Sequence, residues 1–563
     1  MRHPQTIEPA RPDRVGQLNL KPGVLEELER TSGIKSYRER SRTELLQPTL
    51  MNTPQKTVFV SLERVIATSV TNNLNVQFAR LSVAGEQTRL VQAEANFDWV
   101  LFSNFQWSDV DQERIASQQF FPPSARSFDQ RQVVETTVGL RRRLTSGGLF
   151  TVQQGLTYTQ STVNDTFAAP NPANEAALTV QLDQPLLRNF GSDTTLAEVR
   201  LAANAERDQV QQLKAELIRT VASAEQAYWR LVQAHSEYLI SRRLLNLGID
   251  VQDVFKRRRD AGMDVNPSQY ANAVAAVENR RGDLIQAERS LRDASLQLKA
   301  IMNDPDLTIG NEIVLLPVDE PVDVPMQFSL IDGITTALAR RPEIQRALLG
   351  LDDSSIRRRA ADNQALPRLD LQMQARLNAL AEGADTALSR QAEVGLVDFL
   401  VGLAFEQPIG NRAAEAFSLQ RRLEQQQGVV VYRDVVTRVV GELKGALYDL
   451  QSTYLLIEQR RAARIAAAED LRTSSERELL QALTPEQLDL KLRKQEALAA
   501  REAQEVGALT GYNTAISQVY AAMGTILERN RIRFEVPRDR SEQRKGEEQP
   551  PRDPIFGLPP APR

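Results

Sequence analysis

Apolar and polar positions along this chain follow two different periods. From Arg368 to Asn378, the apolar Leu369, Leu371, Met373, Ala375 and Leu377 alternate with the polar Arg368, Asp370, Gln372, Gln374, Arg376 and Asn378. A period of two without exception predicts a strand with one apolar and one polar face. Leu178, Val180 and Leu182 alternate in the same way with Thr179, Gln181 and Asp183. Val397, Phe399, Val401, Leu403 and Phe405 oppose Asp398, Gly402 and Glu406, and Trp99, Leu101, Phe105 and Trp107 line one side of another run. Two further runs, 134–144 and 150–158, flank Thr145-Ser146-Gly147-Gly148, a hairpin signal. Up to six strands are therefore expected, with loops over 108–130, 161–175 and 379–392.

The second period is seven. Between 194 and 261 there is no proline, and the first interior glycine is Gly248. At 1.5 Å per residue this is roughly 100 Å of helix. Val210, Leu217, Ala224, Leu231, Tyr238 and Leu245 recur every seventh position. Val277, Leu284, Leu291 and Leu298 do so further on, as do Val436, Leu443, Leu450 and Ile457. Such a seam is kept in register only by supercoiling. Asn266-Pro267-Ser268-Gln269 and Thr484-Pro485-Glu486-Gln487 each offer an N-cap, a proline at the first helical position and a glutamine able to reach back. Each long helix is thus expected to turn back in a tight helical hairpin.

The whole pattern occurs twice. SLERVIATSVTNNLNVQFARL from Ser61 is matched, at one fixed offset, by SLIDGITTALARRPEIQRALL from Ser329, so that Asn75-Val76-Gln77 falls on Glu343-Ile344-Gln345. LDQPLLRNFG from Leu182 is matched by AFEQPIGNR from Ala404. Ser61 is read as the cap of a helix running to about residue 95, and Pro342 is expected to kink or restart its counterpart. The expected division is a disordered or loosely attached N-terminal arm (1–56), a first repeat (57–302), a linker (303–328), a second repeat (329–527) and a polar, proline-rich tail (528–563).

Composition narrows the function. Charged residues are 25% of the 563 positions and the net charge is −4, which gives no bias toward nucleic acid. There is no cysteine, and the only histidines are His3 and His235, so thiolate or imidazole metal chemistry is not expected. His235 is read as a partly buried structural residue. No phosphate-binding glycine loop or nucleophile–base arrangement appears, so neither an enzyme nor a cofactor is expected. No run of about 18 apolar residues occurs, which leaves a soluble protein or a β-barrel whose lipid face is hidden in alternation. The opening residues, MRHPQTIEPARPDR, lack the apolar core of a secretion signal. So few strands cannot close a barrel alone, and open edges are not tolerated in lipid, so the chain either borrows strands from sister chains or is not in a membrane.

In order and spacing, these pieces resemble the TolC-like outer-membrane efflux proteins over roughly residues 57–527. The most specific pieces are LDQPLLRNFG and the two copies of the SLERVIATSVTNNLNVQ opening. The resemblance implies a mostly α fold with β, built from a duplicated unit of helix, strands and long helical hairpin. It implies a homotrimer whose 12-stranded outer-membrane β-barrel takes four strands from each chain and continues into an α-helical coiled-coil barrel across the periplasm. It further implies outer-membrane lipid around the barrel, docking on a periplasmic adaptor (membrane fusion protein) and an inner-membrane transporter, and export of small molecules or proteins by tripartite efflux or type I secretion. Two departures stand out: up to six strands rather than four, with the hairpin at Gly147-Gly148 either widening the barrel or projecting from it, and no visible leader.

A conduit needs a lumen, a gate and a docking tip. Lumen candidates are Arg368, Asp370, Gln372, Gln374 and Arg376, with Asp398 and Glu406 on the partner strand. The family places acids just after the second helical tip. Here Leu488-Asp489-Leu490-Lys491-Leu492 occupies that stretch, with Asp489 matching the first acid as gate candidate and Leu492 replacing the second. Adaptor-docking candidates are Gly262, Met263, Asn266 and Pro267 at the first tip, and Leu483, Thr484 and Pro485 at the second. Lys256-Arg257-Arg258-Arg259 is read as a solvated face close enough to the tip to meet an acidic adaptor. The competing reading is a non-catalytic coiled-coil scaffold of the envelope or cytosol, with small β-modules.

Overall fold

The computed structural model describes residues 13–33, 36, 46, 48, 55–114, 127–161, 170–262, 266–394, 396–480 and 484–534. Its strands are β1 (Lys56–Val60), β2 (Val100–Arg114), β3 (Ser127–Arg143), β4 (Leu149–Ser161), β5 (Ala173–Pro185), β6 (Ile313–Pro317), β7 (Arg368–Ala381) and β8 (Leu396–Glu406). The principal helices are α1 (Pro22–Ser32), α2 (Leu62–Asn72), α3 (Leu74–Glu94), α4 (Ala197–Asp260), α5 (Pro267–Met302), α6 (Leu330–Arg340), α7 (Pro342–Gln364), α8 (Ala384–Val394), α9 (Arg412–Leu480) and α10 (Pro485–Ala522). The chain forms two compact units. One comprises Met1–Val83, Gln209–Arg346 and Arg433–Arg563; the other comprises Ala84–Asp208 and Ala347–Tyr432. Each takes residues from both sequence repeats, so the units cut across the sequential division.

The second unit holds one antiparallel sheet in the order β2-β3-β4-β5-β7-β8. The chain therefore gives six strands, not the four implied by the resemblance. The β3–β4 hairpin is an integral part of this sheet, lying between β2 and β5. Its turn uses Gly147 at φ +97°, a conformation open to glycine. β2 runs on to Arg114 and β3 begins at Ser127, so part of the stretch read as a loop over 108–130 is strand. The stretch read as a loop over 379–392 is mostly helix α8.

Duplication is visible in the short helices. Ser61 Oγ accepts from Arg64 N, so the expected cap forms, and its counterpart Ser329 Oγ accepts from Asp332 N in the same way. Equivalent positions are buried: Val65 and Gly333, Ser69 and Ala337, Val76 and Ile344. The single helix expected up to residue 95 is in fact two. It breaks at Asn73, opposite the Arg341 that precedes Pro342, with ψ 130° and 125° at the two breaks. Proline makes the second break. Asn73 makes the first without one, because its side chain accepts from Asn75 N and Val76 N and starts α3 afresh.

In the first unit the long helices pack through their seven-residue seams. Leu231, Tyr238, Leu291, Leu298 and Met302 meet Val60, Leu315 and Val506 in one core. Part of the stretch read as a linker belongs to it. β6 pairs in parallel with β1, and Val314, Leu315 and Leu316 are buried. Tyr228 Oη donates to Asp319 at 2.7 Å, and Asp319 also accepts from Leu62 N at the start of α2. Burial, then the hydrogen bond to the Asp319 carboxylate, holds the Tyr228 phenol above its ordinary range. Gly248, the lone glycine of its helical run, has a steric reason. A Cβ there would stand 2.7 Å from Arg280 Nη1, and Arg280 bonds Leu492 O and Gln495. His235 is buried in α4, as expected of a structural residue.

Residues 22–32 of the segment read as a loose arm are helical and docked. Leu28 packs with Ile465, Ala468 and Leu498. Arg464, 2% exposed, donates to Ser32 Oγ (2.8 Å) and pairs with Glu29 (2.7 Å) and with Glu505. Burial by itself would lower this guanidinium, but the two carboxylates outweigh it and hold it above the ordinary value. Removing one partner of such a group leaves uncompensated buried charge. Arg464→Ala is therefore expected to cost about 3–5 kcal/mol and to speed amide exchange across α1. Unchanged α1 protection in exchange mass spectrometry would refute this role.

Candidate functional site

The strand register sorts side chains of the sheet onto two faces, because directly opposed residues share a face. On one face Leu101, Leu140, Val152, Val180, Ala375 and Phe399 stand in a single row across all six strands. Leu178, Leu377 and Val397 form another row, completed by Val138 and interrupted by Ser103 and Gln154. Aromatic residues bound the band. At one end Phe150 shares a row with Leu182, Met373 and Val401 and meets the Trp99 ring edge-on at 6.1 Å. At the other end Trp107 and Tyr158 share a row. The two belts are eight residues apart on β4, roughly 26 Å along the strand and about 20 Å in height at the usual tilt. That is close to the roughly 25 Å apolar band of an outer-membrane barrel. Beyond Trp107 the same face turns polar, with Asp109 opposite Gln132 and Asp111 opposite Gln130.

Over β5 and β7 the outer end of this apolar face is covered by α8. Ala387 sits against Ala176 and Ala381, small residues that let the helix approach closely. Gln391 donates to Leu377 O and Asn174 to Glu382 O, which satisfies polar groups beneath the helix.

All seven lumen candidates lie on the opposite, polar face. Arg368 stands opposite Glu406 and bonds Asp370 at 2.6 Å. Arg376 stands opposite Asp398, but its guanidinium pairs with Glu175 of β5, and Asp398 accepts from Asn378 at 2.6 Å. Gln372 is level with Asp183, and Gln374 with Gln181. Glu175 escaped the sequence reading because it lay in a stretch read as loop. Only the β5–β7 register brings it to Arg376.

The tips carry the capping boxes read from the sequence. Asn266 accepts from Ser268 N, and Gln269 reaches back to Asn266 N. Thr484 accepts from Gln487 N, and Gln487 reaches back to Thr484 N. Pro267 and Pro485 each begin a helix, and Gly262 adopts φ +73°. Met263 and Leu483 lie outside the described residues. The two tips meet, since Gln269 donates to Glu486 at 3.0 Å. Beneath them Val251, Phe255, Ala273, Leu488 and Leu492 form a small core. Leu492, where the family pattern has its second acid, is thus buried. Asp489 is half-buried one turn into α10 and pairs with Arg493 at 2.7 Å. In the basic run, Arg259 pairs with Asp260 and lies over the Tyr270 ring, 4.3 Å from its centre.

No family model and no curated protein matches the chain. Solved structures do. It is similar to the CmeC outer-membrane channel of Campylobacter jejuni at 15% identity and TM-score 0.60, over 86% of this chain and 89% of that one. It is similar to the outer-membrane protein VceC of Vibrio cholerae at 15% identity and TM-score 0.56, over 82% and 96%. The MtrE outer-membrane channel of Neisseria gonorrhoeae, in its open state, matches at 15% identity and TM-score 0.52, over 83% and 89%. The chain has the TolC-like outer-membrane channel fold, mostly helical with an antiparallel sheet.

The two faces of the sheet should answer differently to charge. Leu178→Arg, in the middle of the apolar band, is expected to cost about 2–4 kcal/mol of folding free energy in lipid, and Gln181→Arg, on the polar face, close to none. Denaturant titration of both variants in vesicles checks this. Equal costs would remove the assignment of lipid and water faces.

Proposed function

We propose that three copies of this chain form an exit duct in the outer membrane. The duct releases small molecules or proteins handed on by a periplasmic adaptor and an inner-membrane transporter, as in tripartite efflux or type I secretion. The apolar band bounded by aromatic belts carries this reading. A single sheet in lipid would leave the backbone groups of β2 and β8 unpaired, at several kcal/mol each. These edge strands run antiparallel to one another, so copies can join β8 to β2 and keep the alternation around a closed ring. Three copies of six strands make eighteen, and barrels of that size enclose an aqueous bore. The polar face with Arg368, Asp370, Gln372, Gln374, Arg376, Asp398 and Glu406 then lines the bore. A coiled-coil scaffold in water would instead leave the whole band exposed, which soluble proteins avoid.

Asp489 is our gate candidate. Three copies near a common axis would favour cations, with Arg493 beside each carboxylate moderating the field. The joined tips, from Gly262 to Pro267 and from Leu483 to Pro485, are our adaptor surface.

Planar-bilayer recording tests the reading. The purified protein is expected to run as heat-modifiable trimers from outer membranes and to open stable pores that prefer cations. Asp489→Ala should reduce that preference. Unchanged selectivity would remove the gate, whereas soluble monomers without conductance would overturn the duct.

A further inference from the structure

Duplication gives each short helix a counterpart, and the two counterparts have different neighbours. Within each repeat the short helix lies on its own long helix. Gln87 of α3 donates to Glu206 of α4 at 3.3 Å, and Arg358 of α7 donates to Gln425 of α9 at 2.8 Å. α7 also has a second neighbour. Asn204 of α4 donates to Asp352 and Asp353, both at 2.8 Å. The row of α7 on this side contains Leu349, Asp353 and the buried Ile356.

The equivalent row of α3 is Leu81, Gly85 and Thr88, extended by Leu74 and Phe78. Its spacing of four and three is that of a coiled-coil seam. Yet Leu74, Phe78 and Leu81 are 64%, 73% and 73% exposed, and Gly85 faces open space.

A matching bare row exists on α9. On α4 the residue facing α7, Asn204, stands two positions before the residue facing α3, Glu206. On α9 the row half-buried by α7 is Ser418, Arg421, Gln425, Gly428 and Tyr432. The same two-residue step back gives Ala416, Leu419, Leu423, Gln426 and Val430. These are exposed, and four of the five are apolar.

We infer that the α3 seam of one copy packs on this α9 row of the next, repeating between chains the contact that α7 makes with α4 inside one chain. The inference rests on the ring of identical subunits proposed above and names the surfaces that join them. Unlike surfaces meet, so the contact is head-to-tail and closes only as a ring. The internal copy sets the register. Gly428 lies beside Ser354, next to the counterpart of Gln87, so it corresponds to Glu206, and Asn204 corresponds to Gln426. Gly85, the counterpart of Asp353, therefore faces Gln426 of the neighbouring copy. One turn to either side, Leu81 faces Val430 and Thr88 faces Leu423.

The chain lacks cysteine, so paired cysteines report this directly. Full-length protein carrying Leu81→Cys with Val430→Cys, or Thr88→Cys with Leu423→Cys, is treated in outer membranes with a short bismaleimide. Covalent dimers and trimers are expected from each double variant, and monomers from each single variant. Three results would overturn the seam: no cross-linked species from either double variant in protein that still elutes as an oligomer, like-to-like dimers from Leu81→Cys alone, or capture of a different protein by it. Cross-linked trimers that do not conduct would sink the duct and keep the seam. Conducting trimers without cross-links would do the reverse.

Discussion

An antiparallel sheet with one apolar face and two bare edges is stable neither in water nor, alone, in lipid. Water penalises the band from Trp99 to Trp107, and lipid penalises the unpaired backbone of β2 and β8. Both penalties vanish together only when the edges find partners. The strand count matters here. Because β3 and β4 sit between β2 and β5 and continue the central apolar row through Leu140 and Val152, they add arc to the sheet rather than decorate it.

The helices obey a parallel constraint. A seven-residue seam buries one face of a long helix, and a helix inside a closed layer needs two. α4 is covered on both sides within one chain, whereas α9 in the sheet-bearing unit is covered on one. The duplicated short helices have diverged accordingly. The α7 row answers Asn204 with the carboxylate of Asp353, while its α3 counterpart keeps Leu74, Phe78 and Leu81 exposed and apolar. The duplicated sequence thus meets two environments, one packed inside the chain and one that the chain itself leaves exposed.

Polar burial does different work in the helical unit. Arg464 ties α1 to α9 and α10 through Glu29, Ser32 and Glu505, and Tyr228 ties β1, α2 and the residues after β6 through Asp319. These groups join segments far apart in sequence. Each is held by partners that cannot leave without exposing a charge or an orphaned acceptor in the core.

Periodicity by itself determined the strand faces, the long helices, their seams and the capping boxes at Asn266 and Thr484. Those features depend on residues a few positions apart, and local spacing states them outright. It did not reveal α1, β1, β6 or α8, nor the break at Asn73. The elements are held by partners distant in sequence: Ile465 and Arg464 for α1, Leu291 and Leu298 for β6, Ala176 for α8; the break at Asn73 is a local cap, braced by a distant bond to Ile301 O, and nothing in the apolar period marks it. The polar face of β7 was legible residue by residue, but its pairing with Glu175 was not, because register is a relation between strands. Only the tertiary structure decided which equivalent surfaces are already occupied and which are bare. Burial depends on what packs against a face, and a repeated sequence cannot say which of its copies has a neighbour.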